Sequence, residues 1–399
     1  MRLVKNINML RQPELRKLVK QFDSLTDTTN GYSCYRQNAN TLKRLLDKIM
    51  VLAKEEKEWY LYFNALHEVF FVLDRIDGKS KEMLKYAEIY YRDKELYMDM
   101  ALPYYADTNL SALNNYIMED IFHVYREYYQ ITDKKMDAFM ELYKECAEKY
   151  EKSWTYYNSL IDLGLLYHNK EMVVTGKENF EKSDCDMCYI CSHYSHFGYY
   201  LILDDLEGAE EFLHDIVTRN IPSKYLWSYK KCARANEQTL YGRILGYCLL
   251  LGKPEFFHKV FVERGKDLFG EYEEDAGTSY ILYQILAGDT KHIEKDMEQA
   301  AEDIILEKNQ TTTTLGSIFD FLCWYCYFIL LEKHGIVSVK AECLKETGLE
   351  AQRDGSYSVH GLKEYYMAQA DRVGEKFEKS RKQFSYKRLK ESYEACIQM

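Results

Sequence analysis

The feature that most constrains this chain is a stretch in which large and small residues recur at fixed intervals between Leu160 and Ser183. Small residues permit two helices to approach each other, and large residues fill the space around the contact. The order found here therefore predicts two antiparallel helices packed together. The residues that set this pattern are Leu160, Leu163, Gly164, Tyr167, Gly176, Phe180 and Ser183.

This stretch resembles a tetratricopeptide repeat, a pair of antiparallel helices that repeats about every 34 residues. Other parts of the chain can be aligned to the same pattern as degenerate copies. The resemblance implies an all-α fold: a right-handed α-solenoid of antiparallel helical hairpins with helical caps at both ends. One hairpin cannot bury its apolar face alone, so stacking of neighbours should provide the stability.

Short polar turns separate apolar helical stretches along most of the chain. Most intervals between these turns fit hairpin repeats of about 34 to 47 residues, and their inequality predicts an irregular solenoid. Only 4 Pro and 19 Gly occur, so long stretches can stay helical. The predicted turns are Asp77-Gly78, Thr132-Asp133, Asn169-Lys170, Asp204-Asp205, Gly252-Lys253-Pro254, Gly288-Asp289 and His334-Gly335.

The helical pattern divides the chain into three predicted regions. Residues 1–55 form an N-terminal helical cap, residues 56–335 the tetratricopeptide-like array, and residues 336–399 a C-terminal cap with a basic helix. The most apolar helix is predicted from Thr314 to Lys333, and a last amphipathic helix from about Leu362 to Ala395.

Composition and charge argue against some classes of function for this protein. A net charge of −11 and a pI near 5.5 disfavour nucleic acid as a partner, because binding it requires neutralised phosphates. The sequence shows neither a secretory leader nor an uncharged run long enough to span a membrane, so we expect a cytoplasmic protein. The 11 Cys are scattered, as expected for reduced thiols in that compartment.

Basic residues are concentrated at the two ends of the chain. Seven occur from Lys376 to Lys390 against the single acid Glu378, and six occur in the first twenty residues against Glu14. Such helices are usually solvated faces. They also suit an anionic partner or the acidic body of a second copy, so a homo-oligomer is compatible with the sequence.

One cluster of cysteines and histidines has partial metal-ligand spacing. Cys185 and Cys188 have zinc-ligand spacing, and a capping box from Ser183 to Asp186 would place both on one helical face. His196 would lie about 16 Å along that helix, too far to share the site. Structural packing, zinc binding and redox chemistry all remain open for the cluster. We expect no metal and no cofactor; if a metal binds, Cys232 is the third candidate ligand.

Residues 184–251 are similar to a hairpin module of bacterial tetratricopeptide-like proteins. The shared features are the Asp184-Cys185 start with Cys188, a Tyr-rich helix, the turn at Asp205-Leu206-Glu207-Gly208-Ala209, and the later Cys232 and Leu251-Gly252. This resemblance implies no reaction. No nucleophile elbow, phosphate-binding loop, dinucleotide fingerprint or zinc-protease motif occurs either, so we predict that the protein is not an enzyme.

The preferred function is a protein- or peptide-binding scaffold that uses the concave face of the array. The abundance of Tyr, 37 residues, reflects either genome composition or a Tyr-lined binding surface. Such a groove, rich in Tyr and acids, would prefer a partner segment that carries Lys or Arg. The candidate groove residues are Tyr157, Asn158, Asp162, His193, Tyr200 and Tyr241.

Two other functions fit the same sequence. The first is a peptide-responsive regulator, resembling the bacterial repeat sensors that read short signalling peptides. Those sensors often carry a DNA-binding helix-turn-helix, and residues 1–60 are compatible with two or three helices but show no convincing recognition helix. The second is a zinc- or redox-linked regulator that uses Cys185, Cys188 and Cys232.

Overall fold

The structure is a computed structural model. It describes residues 3–26, 33–73, 80–98, 110–149, 153–185, 189–217, 220, 237–258, 282, 285–286, 290–291, 293–299 and 314–398. Within these residues the fold is all-α, apart from one antiparallel pair of two-residue strands, β1 (Ser338–Val339) and β2 (Tyr357–Ser358). The prediction of an all-α protein is therefore confirmed.

Ten of the described helices precede residue 218. They are α1 (Pro13–Leu25), α2 (Ser33–Glu55), α3 (Trp59–Leu73), α4 (Ser80–Met98), α5 (Leu110–Glu127), α6 (Asp133–Lys149), α7 (Ser153–Tyr167), α8 (Lys170–Lys182), α9 (Tyr189–Ile202) and α10 (Leu206–Val217). The later described helices are α11 (Glu237–Leu251), α12 (Pro254–Phe257), α13 (Ile293–Gln299), α14 (Leu315–Lys333), α15 (Val359–Ser380) and α16 (Tyr386–Cys396). Short 3-10 helices cover Ile7–Met9 and Glu342–Thr347.

Local sequence explains where several of these helices begin and end. Asn169 and Thr314 each accept a hydrogen bond from the first turn of the helix that follows, as N-cap side chains do. Gly252 and Gly335 have φ values of 63° and 77°, the left-handed conformation common at helix C-termini. Four predicted turns lie between helices as expected. His334-Gly335 ends α14 but is followed by strand β1, and Asp77-Gly78 and Gly288-Asp289 lie outside the described residues.

The single last helix predicted from Leu362 to Ala395 is wrong, because the structure has two. Helix α15 ends at Ser380, and α16 begins after Ser385, whose side chain accepts a hydrogen bond from the backbone of Arg388. The chain can fold back here because Gly374 has no side chain: a Cβ on it would come within 2.2 Å of the Tyr386 ring.

The chain divides into two compact units. Unit 1 comprises Met1–Arg126, Ala138–Thr155 and Asn309–Thr312; unit 2 comprises Glu127–Asp137, Tyr156–Lys308 and Thr313–Met399. The predicted division into an N-terminal cap (1–55), a helical array (56–335) and a C-terminal cap (336–399) stays a prediction.

In unit 1 each of α1, α2 and α3 packs against the next helix of the chain. Helix α3 is buried on nearly every side. The buried carboxylate of Asp93 accepts hydrogen bonds from Lys54 at 2.7 Å and from the Tyr62 hydroxyl at 2.6 Å. The neighbouring Arg92 guanidinium, together with these donors, holds the pKa of Asp93 well below its usual value.

In unit 2 the apolar helix α14 packs mainly against α15. By length and composition α14 could also cross a membrane, but 67% of its apolar window is buried inside the protein. Tyr366 of α15 stacks on Trp324 and Phe328 with ring centroids 5.8 and 5.7 Å apart. These contacts are those of a core helix.

Candidate functional site

Three glycines set how closely α7, α8 and α9 approach. A Cβ on Gly164 of α7 would lie 2.7 Å from Val173 of α8, and one on Gly176 of α8 would lie 2.7 Å from Ile161. Helix α9 meets α7 in the same way, since a Cβ on Gly198 would come within 2.5 Å of Leu165. Gly164 and Gly176 are the residues at which the repeat pattern predicts close helix contacts.

Polar side chains connect α7, α9 and α11 beside these glycine contacts. The Ser195 hydroxyl of α9 donates a hydrogen bond to the side-chain oxygen of Asn158 on α7, at 2.7 Å. The Tyr247 hydroxyl of α11 donates to Asp162 of α7 at 3.2 Å, and its ring stacks on Tyr194 of α9 with centroids 6.4 Å apart. We call these five residues the α7–α9–α11 network.

Burial divides the network into an inner and an outer part. Ser195 is fully buried and Asp162 is 8% exposed. Asn158, Tyr194 and Tyr247 are half-buried. The side-chain nitrogen of Asn158 makes no hydrogen bond with any residue that the structure describes, although the side-chain oxygen is held by Ser195. The outer part therefore offers one oriented donor and two amphipathic rings.

Of the predicted groove residues, Tyr157, His193 and Tyr200 are not part of this network. Tyr157 is half-buried and meets Tyr156 edge to face, with centroids 5.2 Å apart. Tyr200 is half-buried against Phe212 of α10, at 5.8 Å, and burial raises its pKa. Tyr241 belongs to α11, but its side chain lies outside the described residues.

His193 lies inside the protein and not on an exposed face of α9, because aromatic neighbours enclose it. It is 8% exposed, its ring stacks on Tyr189 at 4.1 Å, and it meets Phe180 edge to face at 5.0 Å. The His196 ring is 4.7 Å away, and burial lowers the pKa of His196 well below its usual value. His193 and His196 therefore take part in packing inside the protein.

The capping box predicted from Ser183 to Asp186 is wrong. Ser183 ends α8, its hydroxyl donates to the backbone oxygen of Asn179 at 2.8 Å, and residues 183–185 are not helical. Cys185 therefore does not lie on the first turn of α9, as the metal argument assumed. Its side chain is half-buried.

The metal prediction itself stays a prediction. Cys188 and Cys232 lie outside the described residues, as does the side chain of Cys191. Among the residues that are described, no three His, Cys, Asp or Glu side chains are grouped so that they could hold a metal ion.

Sequence reasoning missed Tyr194, Ser195 and Tyr247. No local sequence signal selects these residues, because their partners Asn158 and Asp162 belong to another helix.

The basic C-terminal segment is not simply a solvated face. The side chain of Arg381 is fully buried and donates to the backbone oxygens of Tyr128 and Ile131, both at 2.9 Å. Arg388 donates to the backbone oxygen of Tyr167, the last residue of α7, also at 2.9 Å. Cations suit this position because carbonyl groups at a helix C-terminus are unpaired and carry partial negative charge. Lys379, Lys382 and Lys387 are exposed, as predicted for a solvated face.

No family model, curated protein or solved structure matches this chain. The class of protein is accordingly defined by its own geometry: an all-α protein in which glycine-mediated helix contacts support a polar and aromatic network across three helices.

Proposed function

We propose that this protein is a tetratricopeptide-like α-solenoid that acts as a non-enzymatic adaptor in the bacterial cytoplasm. It would bind a protein or peptide segment across α7, α9 and α11. The proposal is supported by glycines at the helix contacts of α7 and α8, at the spacing of the repeat, and by the network that joins the three helices.

The observation that carries the proposal is the geometry of Asn158. Its side-chain oxygen is held by buried Ser195, so the amide is fixed in one orientation. Its nitrogen has no partner among the described residues and belongs to a half-buried side chain. A peptide backbone carbonyl is the complementary acceptor, and a donor that is already oriented loses little entropy on binding.

Tyr194 and Tyr247 supply the apolar contact beside this donor. Tyrosine combines a large rigid ring with a polar hydroxyl, a combination enriched in binding surfaces. The Asp162 carboxylate behind Tyr247 adds negative charge. A Lys or Arg of the bound segment would stack on the rings and be attracted by that carboxylate.

Selection from a displayed random-peptide library on the purified protein tests the proposal. We expect enrichment of segments that carry Lys or Arg. In the double variant Asn158→Ala/Tyr194→Ala the dissociation constant of an enriched peptide should rise about tenfold or more, because both an oriented donor and an aromatic contact are lost.

The matched control is Asn179→Ala/Tyr199→Ala, which removes the same residue types from α8 and α9 outside the network. It should bind the peptide as the unmodified protein does. Melting temperatures of both variants separate lost binding from lost folding. The proposal fails if no peptide is enriched, or if the two double variants weaken binding equally.

A further inference from the structure

A groove in unit 1, with a volume of about 820 Å³, lies between α1 and α2. Three cations of α1 line it: Arg16, Lys17 and Lys20. Apolar side chains line it as well, namely Pro13, Leu25 and Leu45. The opposite side of α1 is buried in the core through Leu15, Leu18, Val19 and Phe22, so the cations stand on a helix that is fixed in place.

The positive charge of this groove is poorly neutralised. Lys17 approaches Glu14 at 3.9 Å, but both side chains are more than half exposed, at 65% and 53%. Such a pair is weak. Neither Arg16 nor Lys20 makes a hydrogen bond or ion pair with any residue in the described part of the chain. Three cations therefore line a groove in which none of the described lining residues is an acid.

We propose that this groove docks an acidic segment of a partner protein, with Asp or Glu on either side of one aliphatic side chain. The carboxylates would pair with Arg16 and Lys20, and the aliphatic group would contact Leu25 and Leu45. Charge complementarity and the apolar lining together select this ligand. Nucleic acid fits less well, because a phosphate chain has no group for the apolar residues and the whole chain carries a net charge of −11.

This site differs from the α7–α9–α11 network in location and in charge preference. The network belongs to unit 2 and favours a basic segment, whereas the groove belongs to unit 1 and favours an acidic one. Its test is therefore independent of the proposed function above.

Fluorescence anisotropy with three short labelled probes tests the proposal on the full chain. The first probe is a peptide in which glutamates flank one leucine. The second has lysines in place of the glutamates, and the third is a single-stranded oligonucleotide. We expect the acidic peptide to bind most tightly, and we expect binding to weaken as salt rises, since exposed charges are screened.

The variant Arg16→Gln/Lys20→Gln should weaken binding of the acidic peptide about fivefold, the combined effect of two exposed ion pairs. Lys20 is exposed and Arg16 is half-buried with no ion-pair partner in the described part of the chain, so folding should be preserved. The matched control Lys134→Gln/Lys144→Gln removes two exposed charges from α6 and should leave binding unchanged. Replacing the leucine of the peptide by glycine should also weaken binding.

Three outcomes would overturn the proposal. In the first, the acidic peptide does not bind. In the second, both double variants weaken binding of the acidic peptide equally, which would indicate attraction to the overall charge of the protein. In the third, the oligonucleotide binds more tightly than the acidic peptide and loses affinity in Arg16→Gln/Lys20→Gln, which would assign the groove to phosphate.

Discussion

His168 occupies the end of α7 in a conformation that few non-glycine residues adopt, with φ of 52°. Its Nε2–H donates to the backbone oxygen of Leu250, 3.0 Å away. Burial, together with the positive charges of Arg388 and Lys253, lowers the pKa of His168 to about 4. The folded protein therefore holds the neutral ring, and protonation opposes folding.

This residue should make the protein less stable in mild acid. A histidine whose pKa is lowered on folding stabilises the folded protein. This stabilisation is complete above the pKa of histidine in the unfolded chain, about 6.5, and is lost as pH falls through the pKa in the folded protein. In His168→Gln, which keeps an N–H donor but cannot titrate, the melting temperature should fall less between pH 7 and pH 4 than in the unmodified protein. Parallel melting curves over this range would contradict the assignment.

Some helical glycines of this protein lie at close contacts between helices, and others do not. Gly164 lies against α8, where an added Cβ would meet both a side chain and the backbone nitrogen of Val173. No atom of the described residues lies within 4 Å of the same position on Gly246 of α11. The two helical glycines thus have opposite environments.

Alanine at the two positions should therefore have opposite effects. Gly164→Ala should destabilise the protein by about 1–3 kcal/mol, because α7 and α8 must separate or repack. Gly246→Ala should stabilise it by about 0.5–1 kcal/mol through reduced chain entropy in a helix. Denaturant unfolding of both variants measures this difference, and equal effects would show that the α7–α8 contact is misplaced.

On the scale of the whole molecule, the C-terminal segment joins parts of unit 2 that are far apart in sequence. Arg381 contacts the backbone of Ile131, 250 residues earlier, and Arg388 contacts Tyr167, 221 residues earlier. The Cys396 thiol approaches the backbone oxygen of Cys248 at 3.5 Å. Helix α16 also packs on α11, α12, α14 and α15. The end of the chain therefore completes the core of unit 2.

Substitution of two adjacent basic residues of α16 tests whether this helix packs in the core of unit 2. Arg388→Met should cost about 1.5–3 kcal/mol, because it removes a charged hydrogen bond and leaves the carbonyl of Tyr167 without that donor. Lys387, whose side chain is 83% exposed, serves as the control. Lys387→Met should change stability by no more than about 0.5 kcal/mol. Equal losses in chemical denaturation would mean that α16 does not dock as described.

Much of the fold could be predicted from local signals. Pro13, Asn169 and Thr314 mark helix starts, and Gly252 and Gly335 mark helix ends, because capping depends on residues a few positions apart. The division of the last helix was not predicted. At this break Tyr386 packs on Gly374 and Arg381 donates to distant backbone oxygens, contacts that no local pattern reveals.

The candidate site was predicted in part. Asn158 and Asp162 belong to the network, but His193 lies inside a ring of aromatic residues and Tyr200 packs on α10. A single residue of misalignment rotates a helical side chain by about 100°, so a repeat pattern alone cannot fix which residues face outward.

The sequence by itself determined that this chain is helical, where several described helices begin and end, and which glycines permit contact between α7 and α8. These properties depend on residues within one or two helical turns. Only the tertiary structure decided that Tyr247 reaches Asp162, that Arg381 and Arg388 pair with helix-end carbonyls, and that His193 is buried. Each of these depends on partners that folding brings from distant positions, and their energy is gained only when the chain is packed.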